Sequence, residues 1–458
     1  MHGRFPGDRP GSGVSGGGGS SRSAALAVSI DHRIAGAVAV PTVQEAPGKT
    51  GSTAGGGLQP SVPDAEAMNK ALPPLKIRNI EVKYPIIQGG MGVGISWDNL
   101  AGAVARAGCL GTVSSVGTGY WRTEAVRTIN GRPLKPANFH STVNLKAILA
   151  SAIEKSEGRG AVGVNILCAV TDYERQVRDS VAGGARYIIS GAGLPLRLPE
   201  YVGDADVALI PIVSSPRVVD LICKRWKRQG RLPDAIILEG PKSGGHQGYT
   251  YEQCLDPAYQ LEVLTPAVLE ACKAWGNIPL IVAGGIWDRA DIDSYLAMGV
   301  SGVQMATRFI GTYECDASDT FKRVLLNAKK SDIKLLKSPV GYPARGIVTS
   351  PLVQRIMAGH RPKIACVSNC VDPCNHGEES NKVGYCIADS LADARAGNYE
   401  TGLFFSGSNG YRLTRLQHVQ DVIDKLVGNR VDDDTWVEEE AEEVPHAAYR
   451  PSPFAVNA

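Results

Sequence analysis

Residues 235–248 read AIILEGPKSGGHQG, an apolar run followed at once by a glycine-rich loop that carries one histidine, His246. The run Ala235-Ile236-Ile237-Leu238 predicts a buried strand. A histidine on a loop at the carboxyl end of such a strand occupies the place where parallel barrels carry their chemistry. The glycines have no Cβ, so backbone N–H groups there can approach a flat ligand closely. The alternative is a polar surface turn with an incidental histidine.

Seven further apolar runs have the same character, and each ends in small or polar residues. They lie at residues 84–88, 110–113, 161–166, 187–190, 208–213, 280–283 and 302–305. Near-continuous apolar strands indicate a sheet that is covered on both faces, and helix-length intervals between them indicate parallel βα units. Eight such units predict an α/β fold of the (β/α)₈ TIM-barrel type. The rival is a doubly wound open sheet, but such sheets usually have five or six strands, and no G-x-G-x-x-G follows the first strand here.

The chain around this predicted barrel divides by composition. Residues 1–67 are rich in Gly, Ser, Pro and Ala and predict a disordered tail, because they cannot bury enough apolar surface to offset their ordering entropy. Met68 is a natural start, and our hypothesis is that translation begins there. The barrel is predicted for residues 72–313, a smaller capping segment for 314–430, and an acidic mobile tail for 431–458.

Three stretches of the capping segment have a local pattern. Residues 318–330 and 416–427 predict helices, and 340–348 is rich in turn residues.

Composition excludes several classes of function. The chain of 458 residues is 43% hydrophobic and 21% charged, with a formal net charge of +2 and no dense Lys/Arg run. Binding to nucleic acid or to an anionic membrane therefore has no electrostatic support. No apolar run approaches the roughly 20 residues of a membrane-spanning helix, and Asp31, His32 and Arg33 interrupt the nearest approach to a secretory signal. We expect a cytoplasmic protein that acts on a small molecule, with an oligomeric state that the sequence does not reveal.

Small residues after the seventh and eighth strands give the strongest chemical signal after His246. In barrels these two loops often form a phosphate pocket from backbone N–H groups, although they can also simply turn the chain. The residues are Gly284, Gly285, Ala306 and Thr307. A phosphate held there would place a flat ring over residues 90–92, Asn165 and the loop of His246. FMN fits this layout better than NAD, because it joins one phosphate to a rigid three-ring head.

Seven short motifs occur in the order of a known family. They are PIIQGGM (85–91), GVNI (163–166), SGAG (190–193), IPIVS (210–214), SGGH (243–246), VAGGI (282–286) and VQMATRF (303–309). Together they resemble the nitronate monooxygenase (2-nitropropane dioxygenase) superfamily, which includes the flavin-dependent enoyl-acyl-carrier-protein reductases. The resemblance covers roughly residues 72–355 and implies an FMN-dependent barrel with a smaller capping domain. Residues 385–388 and 402–410 resemble an extension in a subset of bacterial members.

The resemblance assigns roles to individual residues. His246 matches the active-site histidine of the family. The positions implied to hold the cofactor are Gly90, Met91, Gly92, Asn165, Ser214, Glu239, Gly244, Gly245, Gly284, Gly285, Ala306 and Thr307.

The resemblance leaves two reactions open. In a nitronate oxidase, His246 would take the α-proton of a nitroalkane or hydrogen-bond a nitronate, since an imidazole titrates near neutral pH. The substrate would reduce FMN, O₂ would reoxidise it, and a carbonyl compound and nitrite would result. In an enoyl-thioester reductase, NAD(P)H would reduce FMN instead. Ile212, where the best-characterised nitronate monooxygenases carry a lysine, and the doubled Gly244-Gly245 are closer to the reductases.

A third interpretation, from another class, is a non-catalytic flavin-binding protein. His246 counts against it, because a carrier needs no acid–base group.

Four cysteines cluster in the capping segment, and their thiolates could bind an iron–sulfur cluster or a tetrahedral zinc ion. They are Cys366, Cys370, Cys374 and Cys386. Their spacing matches neither the usual zinc pattern nor the ferredoxin pattern, and His376 could substitute for one ligand. The alternative is a set of reduced thiols in a loop.

Overall fold

The computed structural model describes residues 71–121, 128–129, 132–133, 139–360, 370–372, 374 and 385–433. The predicted tail of residues 1–67, the proposed start at Met68, two of the potential metal ligands (Cys366 and His376) and residues 434–458 lie outside these ranges.

Eight parallel strands close into a barrel, as predicted, and the rival open sheet is wrong. The strands pair in chain order, with the sixth hydrogen-bonded to both the fifth and the seventh, and the eighth to the first. They are β1 Ile86–Gln88, β2 Leu110–Ser114, β3 Ala161–Leu167, β4 Tyr187–Gly191, β5 Ala208–Val213, β6 Ile236–Glu239, β7 Leu280–Ala283 and β8 Gly302–Met305. Nearly every residue on them is buried, which explains why the strands are apolar throughout rather than alternating.

Helices follow the strands and cover the outside of the barrel. The principal ones are Asp98–Arg106, Thr142–Lys155, Tyr173–Ala182, Leu198–Val202, Pro216–Lys227, Leu261–Ala274, Arg289–Ala297 and Asp319–Leu326. Shorter helical segments are Thr118–Tyr120, Tyr251–Leu255, Pro257–Tyr259, Thr307–Ile310, Lys330–Asp332 and Gly410–Arg412. The first helix begins where the carboxylate of Asp316 accepts hydrogen bonds from the backbone N–H groups of Trp97 (2.7 Å) and Leu100 (3.2 Å). The segment after β8 therefore supplies the N-terminal cap of a helix at the start of the barrel.

An antiparallel hairpin closes the amino-terminal end of the barrel. Its strands are Leu75–Ile77 and Ile80–Val82. Its buried side chains join the same apolar cluster as Ala161, Ala208 and Ala235, which lie at or just before the starts of their strands. The opposite end, where the strands end, is the end at which barrels of this type carry their active sites.

A small sheet, called the cap sheet below, covers part of that opposite end. Its strands are Gly245–His246, Pro343–Ile347 and Ile333–Lys337, with Pro343–Ile347 in the middle. The loop after β6 thus forms one edge of a cap built mostly by the chain beyond the barrel. Residues 340–348, which we predicted only as turn-rich, contain the central strand of this sheet, because pairing on both edges outweighs the local turn preference of Gly and Pro.

The capping segment also contains the helices Pro351–Met357, Ile387–Ala396 and Val419–Leu426. Two of the predicted helices are present but shorter than predicted, at Asp319–Leu326 and Val419–Leu426. A separate pair of two-residue strands, Thr128–Ile129 and Arg132–Pro133, lies between β2 and β3 in the chain.

The first residues of the predicted acidic tail pair with the folded part of the chain. Asp432 accepts a hydrogen bond from Arg308 at 2.9 Å, and Asp433 lies 2.6 Å from the Nζ atom of the buried Lys425. These contacts place the chain next to the end of β8 as far as residue 433. Within the described ranges, the helices are all too short or too polar to cross a membrane.

Candidate active site

The predicted site residues lie together at the carboxyl ends of the barrel strands. Met91 and Gly92 follow β1, Ser214 follows β5, and Glu239 ends β6. The glycines and small residues of the predicted phosphate pocket follow β7 and β8. In a closed parallel barrel all these strand ends surround one opening, so the fold brings together residues that are far apart in the sequence.

The loop after β1 packs its backbone directly on β3. A Cβ atom on Gly90 would lie 2.3 Å from the Cβ atom of Asn165, so no larger residue fits unless Asn165 moves. Asn165 itself is buried, and its backbone carbonyl accepts a hydrogen bond from the N–H group of Ser115 at 3.1 Å. The close packing of the β1 loop on β3 therefore depends on a glycine at position 90.

The loop after β7 turns through two glycines, and the loop after β8 contacts the capping segment. Gly284 and Gly285 have positive φ angles of 100° and 89°, which L-residues rarely adopt. A Cβ atom on Gly284 would lie 3.2 Å from the backbone N atom of Ser243, so the β6 and β7 loops lie against each other. Thr307 follows β8, and its hydroxyl accepts a hydrogen bond from the N–H group of Gly407 at 2.9 Å.

His246 is held at the edge of the cap. Its Nε2 atom lies 2.7 Å from the hydroxyl of Ser338, and either partner can donate the proton. The edge of its ring meets the ring of Phe405 with centroids 5.5 Å apart. Burial lowers the pKa of His246 to about 4, so the imidazole is neutral across the physiological range. The sequence-based prediction of an imidazole that titrates near neutral pH is therefore wrong, because the folded chain buries the ring.

Glu239 has the opposite electrostatic character. Burial raises its pKa to about 7, so this carboxyl holds a proton for part of the time near neutral pH. Tyr249 lies beside it and donates a hydrogen bond of 2.8 Å to its backbone carbonyl. Burial, together with Glu239, also raises the pKa of Tyr249. The β6 loop therefore combines a neutral imidazole with a carboxyl that is easily protonated.

These two groups make stability depend on pH in opposite directions. Glu239 binds a proton more tightly in the folded chain, so its contribution to stability is lost as the pH rises from about 4.5 to about 7. We expect Glu239→Gln to stabilise the flavin-free protein by roughly 1–3 kcal/mol at pH 8, and to change it little at pH 4.5. His246 has the opposite effect: because its pKa is lower in the folded chain, its contribution to stability is lost as the pH falls. This contribution is the same in the wild-type protein and in Glu239→Gln.

Thermal unfolding of the two proteins at both pH values measures this effect. Glu270→Gln is the matched control, because Glu270 is exposed and pairs only with Lys273 among the described residues. An equal shift for Glu239→Gln at the two pH values would show that Glu239 has no raised pKa.

Several residues of the site were missed by the sequence analysis. Gln304 lies on β8 beside Gly89, and its Oε1 atom is buried without a hydrogen-bond partner in the described part of the chain. A glutamine inside an apolar strand was the signal that could have found it. Ser338 and Phe405, which contact His246, gave no signal, because they come from the capping segment about 90 and 160 residues further along the chain.

The residues around the opening suit the chemical groups of flavin mononucleotide. They offer a glycine floor at Gly90, an unpaired amide oxygen at Gln304 that can accept from a ring N–H, and glycine loops at residues 284–285 for a phosphate. The assignment of each residue to a part of the cofactor remains a prediction.

The cysteines of the capping segment lie partly within the described ranges. Cys370 and Cys386 are both close enough to Tyr120 to help raise its pKa, after burial and the carboxylates of Asp389 and Asp393. Over the residues that the structure describes, His, Cys, Asp and Glu side chains form no group of three that could hold a metal ion. Because Cys366 lies outside them, binding of an iron–sulfur cluster or zinc by the four cysteines stays a prediction.

The sequence matches the family described as nitronate monooxygenase over residues 74–429. A "probable nitronate monooxygenase" of Staphylococcus saprophyticus is 27% identical over 285 residues, which cover 58% of this chain and 76% of that protein. A protein of the same description from Staphylococcus aureus strain JH9 is 27% identical over 288 residues, with the same coverage.

Solved structures share the fold. FabK from Thermotoga maritima superposes with a TM-score of 0.57 at 24% identity, covering 75% of this chain and 92% of FabK. Nitroalkane oxidase from Streptomyces ansochromogenes superposes with a TM-score of 0.56 at 20% identity, covering 75% of this chain and 95% of the oxidase. At these identities the likeness shows the barrel fold.

Proposed function

Since the chain belongs to the nitronate monooxygenase family, we propose that it oxidises alkyl nitronates with O₂ to a carbonyl compound and nitrite, with FMN in the barrel mouth. The chain is a flavin-dependent oxidoreductase of this family. The reaction balances when two nitronate anions and one O₂ give two carbonyl compounds and two nitrite ions.

The observation that carries this proposal is the neutral His246, fixed by Ser338 at 2.7 Å. A nitronate is already deprotonated at carbon, so it needs no strong base. It needs a hydrogen-bond donor for an oxygen that carries negative charge. A neutral imidazole has one N–H group, and when the hydroxyl of Ser338 donates to Nε2, that group is on Nδ1 and can donate to the substrate. The low pKa of His246, about 4, is therefore compatible with a nitronate as substrate.

The same pKa disfavours a neutral nitroalkane as substrate. Taking an α-proton from carbon requires a base whose pKa is near the working pH, and burial moves His246 away from that range. We therefore place the anionic nitronate ahead of the nitroalkane.

FMN, when bound, supplies the electron acceptor and the site of reaction with O₂. The chain's own residues orient the substrate and exclude water. Ser338 fixes the imidazole ring of His246, and the edge of Phe405 limits its movement. The cap sheet covers this side of the opening, which strengthens each hydrogen bond inside it.

A second candidate is an enoyl-thioester reductase that uses NAD(P)H. The observation that favours it is Ile212 at the end of β5, which is packed against Gly191 and presents an apolar surface. A lysine there would help to attract an anionic substrate, whereas an apolar side chain suits the hydrocarbon part of a thioester.

Anaerobic mixing distinguishes the two candidates. The flavin-loaded protein is mixed separately with propyl-2-nitronate and with NADPH, and the absorbance of the flavin is followed. Our proposal predicts bleaching by the nitronate. Bleaching by NADPH alone would replace it with the reductase, and bleaching by neither would favour a non-catalytic flavin-binding protein.

A further inference from the structure

The phosphate loops of the barrel are covered by a loop from the far end of the chain. This capping loop, residues 405–410, has the sequence FSGSNG and carries no charged residue. Phe404, just before it, is fully buried against Phe321, with ring centroids 5.2 Å apart. The carbonyl of Phe404 accepts a hydrogen bond of 2.9 Å from Ile347 in the central strand of the cap sheet. The capping loop is therefore anchored where it begins.

Three hydrogen bonds join the capping loop to three barrel loops. The N–H group of Gly407 donates to the hydroxyl of Thr307 (2.9 Å), after β8, and the N–H group of Ser408 donates to the carbonyl of Lys242 (3.0 Å), after β6. The side-chain amide of Asn409 donates to the carbonyl of Gly285 (2.6 Å), after β7. The capping loop thus lies on the residues predicted to hold the phosphate.

The hydroxyl of Ser408 takes part in none of these three hydrogen bonds. Its Oγ atom is buried, and none of the described residues forms a hydrogen bond with it. A buried hydroxyl without a partner costs about 1–3 kcal/mol, so the hydroxyl of Ser408 is available to a ligand that binds beside it. Its two neighbours in the loop are bonded to the barrel, so Ser408 is held in place.

The surroundings favour an anionic partner. Arg345, in the central strand of the cap sheet, donates to the carbonyl of Pro241 in the β6 loop at 2.9 Å. Its guanidinium and the backbone of Ser408 therefore contact neighbouring residues of this loop, Pro241 and Lys242. Backbone N–H groups of glycine loops, a hydroxyl donor and a guanidinium group bonded to the same β6 loop are features of a phosphate site.

We propose that the capping loop forms one wall of the phosphate site and that the hydroxyl of Ser408 donates a hydrogen bond to the phosphate of FMN. This inference rests on the proposed flavin function and adds to it a residue of the C-terminal segment, outside the barrel. Binding of the phosphate would then also fix the capping loop, and with it Phe405 against His246.

Riboflavin provides the test, because it has the ring and ribityl chain of FMN without the phosphate. The full chain is stripped of flavin and titrated with FMN and with riboflavin while flavin fluorescence is measured. Ser408→Ala should weaken the binding of FMN roughly 10–100-fold and leave that of riboflavin within about twofold. Ser406→Ala is the matched control: its hydroxyl donates to the neighbouring Gly407 carbonyl, and we expect no loss that is specific to FMN.

Ser408→Asp is a second test. A carboxylate beside the phosphate should repel it and weaken the binding of FMN further, while riboflavin still binds. Thermal unfolding of each flavin-free variant checks that it folds. Equal effects on both flavins, or no effect on either, would overturn the role of Ser408. A wild-type chain that binds neither flavin would instead overturn the proposed function.

Discussion

Replacing His246 with asparagine should lower turnover of propyl-2-nitronate roughly 10²–10⁴-fold and leave FMN bound. Asparagine is smaller than histidine and cannot bridge Ser338 and a substrate in the same way. The backbone pairing of residue 246 with Ala344 in the cap sheet does not involve the side chain, so the fold should persist. Steady-state oxygen consumption, with the flavin content measured on the same samples, gives the result.

His418→Asn is the control for this substitution, because His418 is largely exposed and pairs with Glu314. His246→Gln separates two roles, since an amide can hydrogen-bond but cannot titrate. Partial recovery with glutamine would favour a hydrogen bond to the nitronate. Unchanged turnover in His246→Asn would remove His246 from the reaction.

The pH profile is part of the same prediction. Because burial lowers the pKa of His246 to about 4, kcat/KM of the wild-type protein should not fall near pH 6.5 through protonation of this residue. An acidic limb near pH 6.5 that disappears in His246→Asn would contradict the neutral imidazole.

Replacing Gly90 with alanine should destabilise the flavin-free protein by about 1–3 kcal/mol. It should also weaken the binding of FMN about tenfold or more. The new methyl group would lie 2.3 Å from the Cβ atom and 3.0 Å from the Cγ atom of Asn165. The backbone at position 90 or the side chain of Asn165 must move, and both are predicted to lie against the flavin. Thermal unfolding and a fluorescence titration with FMN measure the two effects.

Gly92→Ala, in the same loop, is the matched control for the effect on stability. A Cβ atom there would come no closer than 3.8 Å to a neighbouring side chain, which is ordinary contact. We expect a change in stability within about 0.5 kcal/mol. If Gly90→Ala behaves like Gly92→Ala, the close packing of the β1 loop on β3 is not required for the site.

The barrel was predictable from the sequence because each strand is a local signal. The runs at residues 208–213 and 280–283 coincide with β5 and β7 to the residue, since a buried parallel strand must be apolar on both faces. The small residues that follow the strands mark where each strand ends, so the positions of the strand ends were also predictable from local sequence.

The cap was not predictable, because it forms through pairing between distant segments. Residues 343–347 contain Pro343 and Gly346, which locally favour a turn, yet they form the central strand of the cap sheet. Ser338 and the capping loop reach His246 and the phosphate loops only through this pairing. The pKa of His246 depends on the same enclosure, and therefore could not be obtained from the residue type alone.

Whether the barrel mouth binds FMN beside His246 is measured by the flavin content of the purified protein. Protein expressed with ample riboflavin should be yellow, and denaturation should release close to one FMN per chain. A colourless protein that takes up no FMN when FMN is added in excess would contradict FMN binding at the barrel mouth and every role assigned to the residues around it.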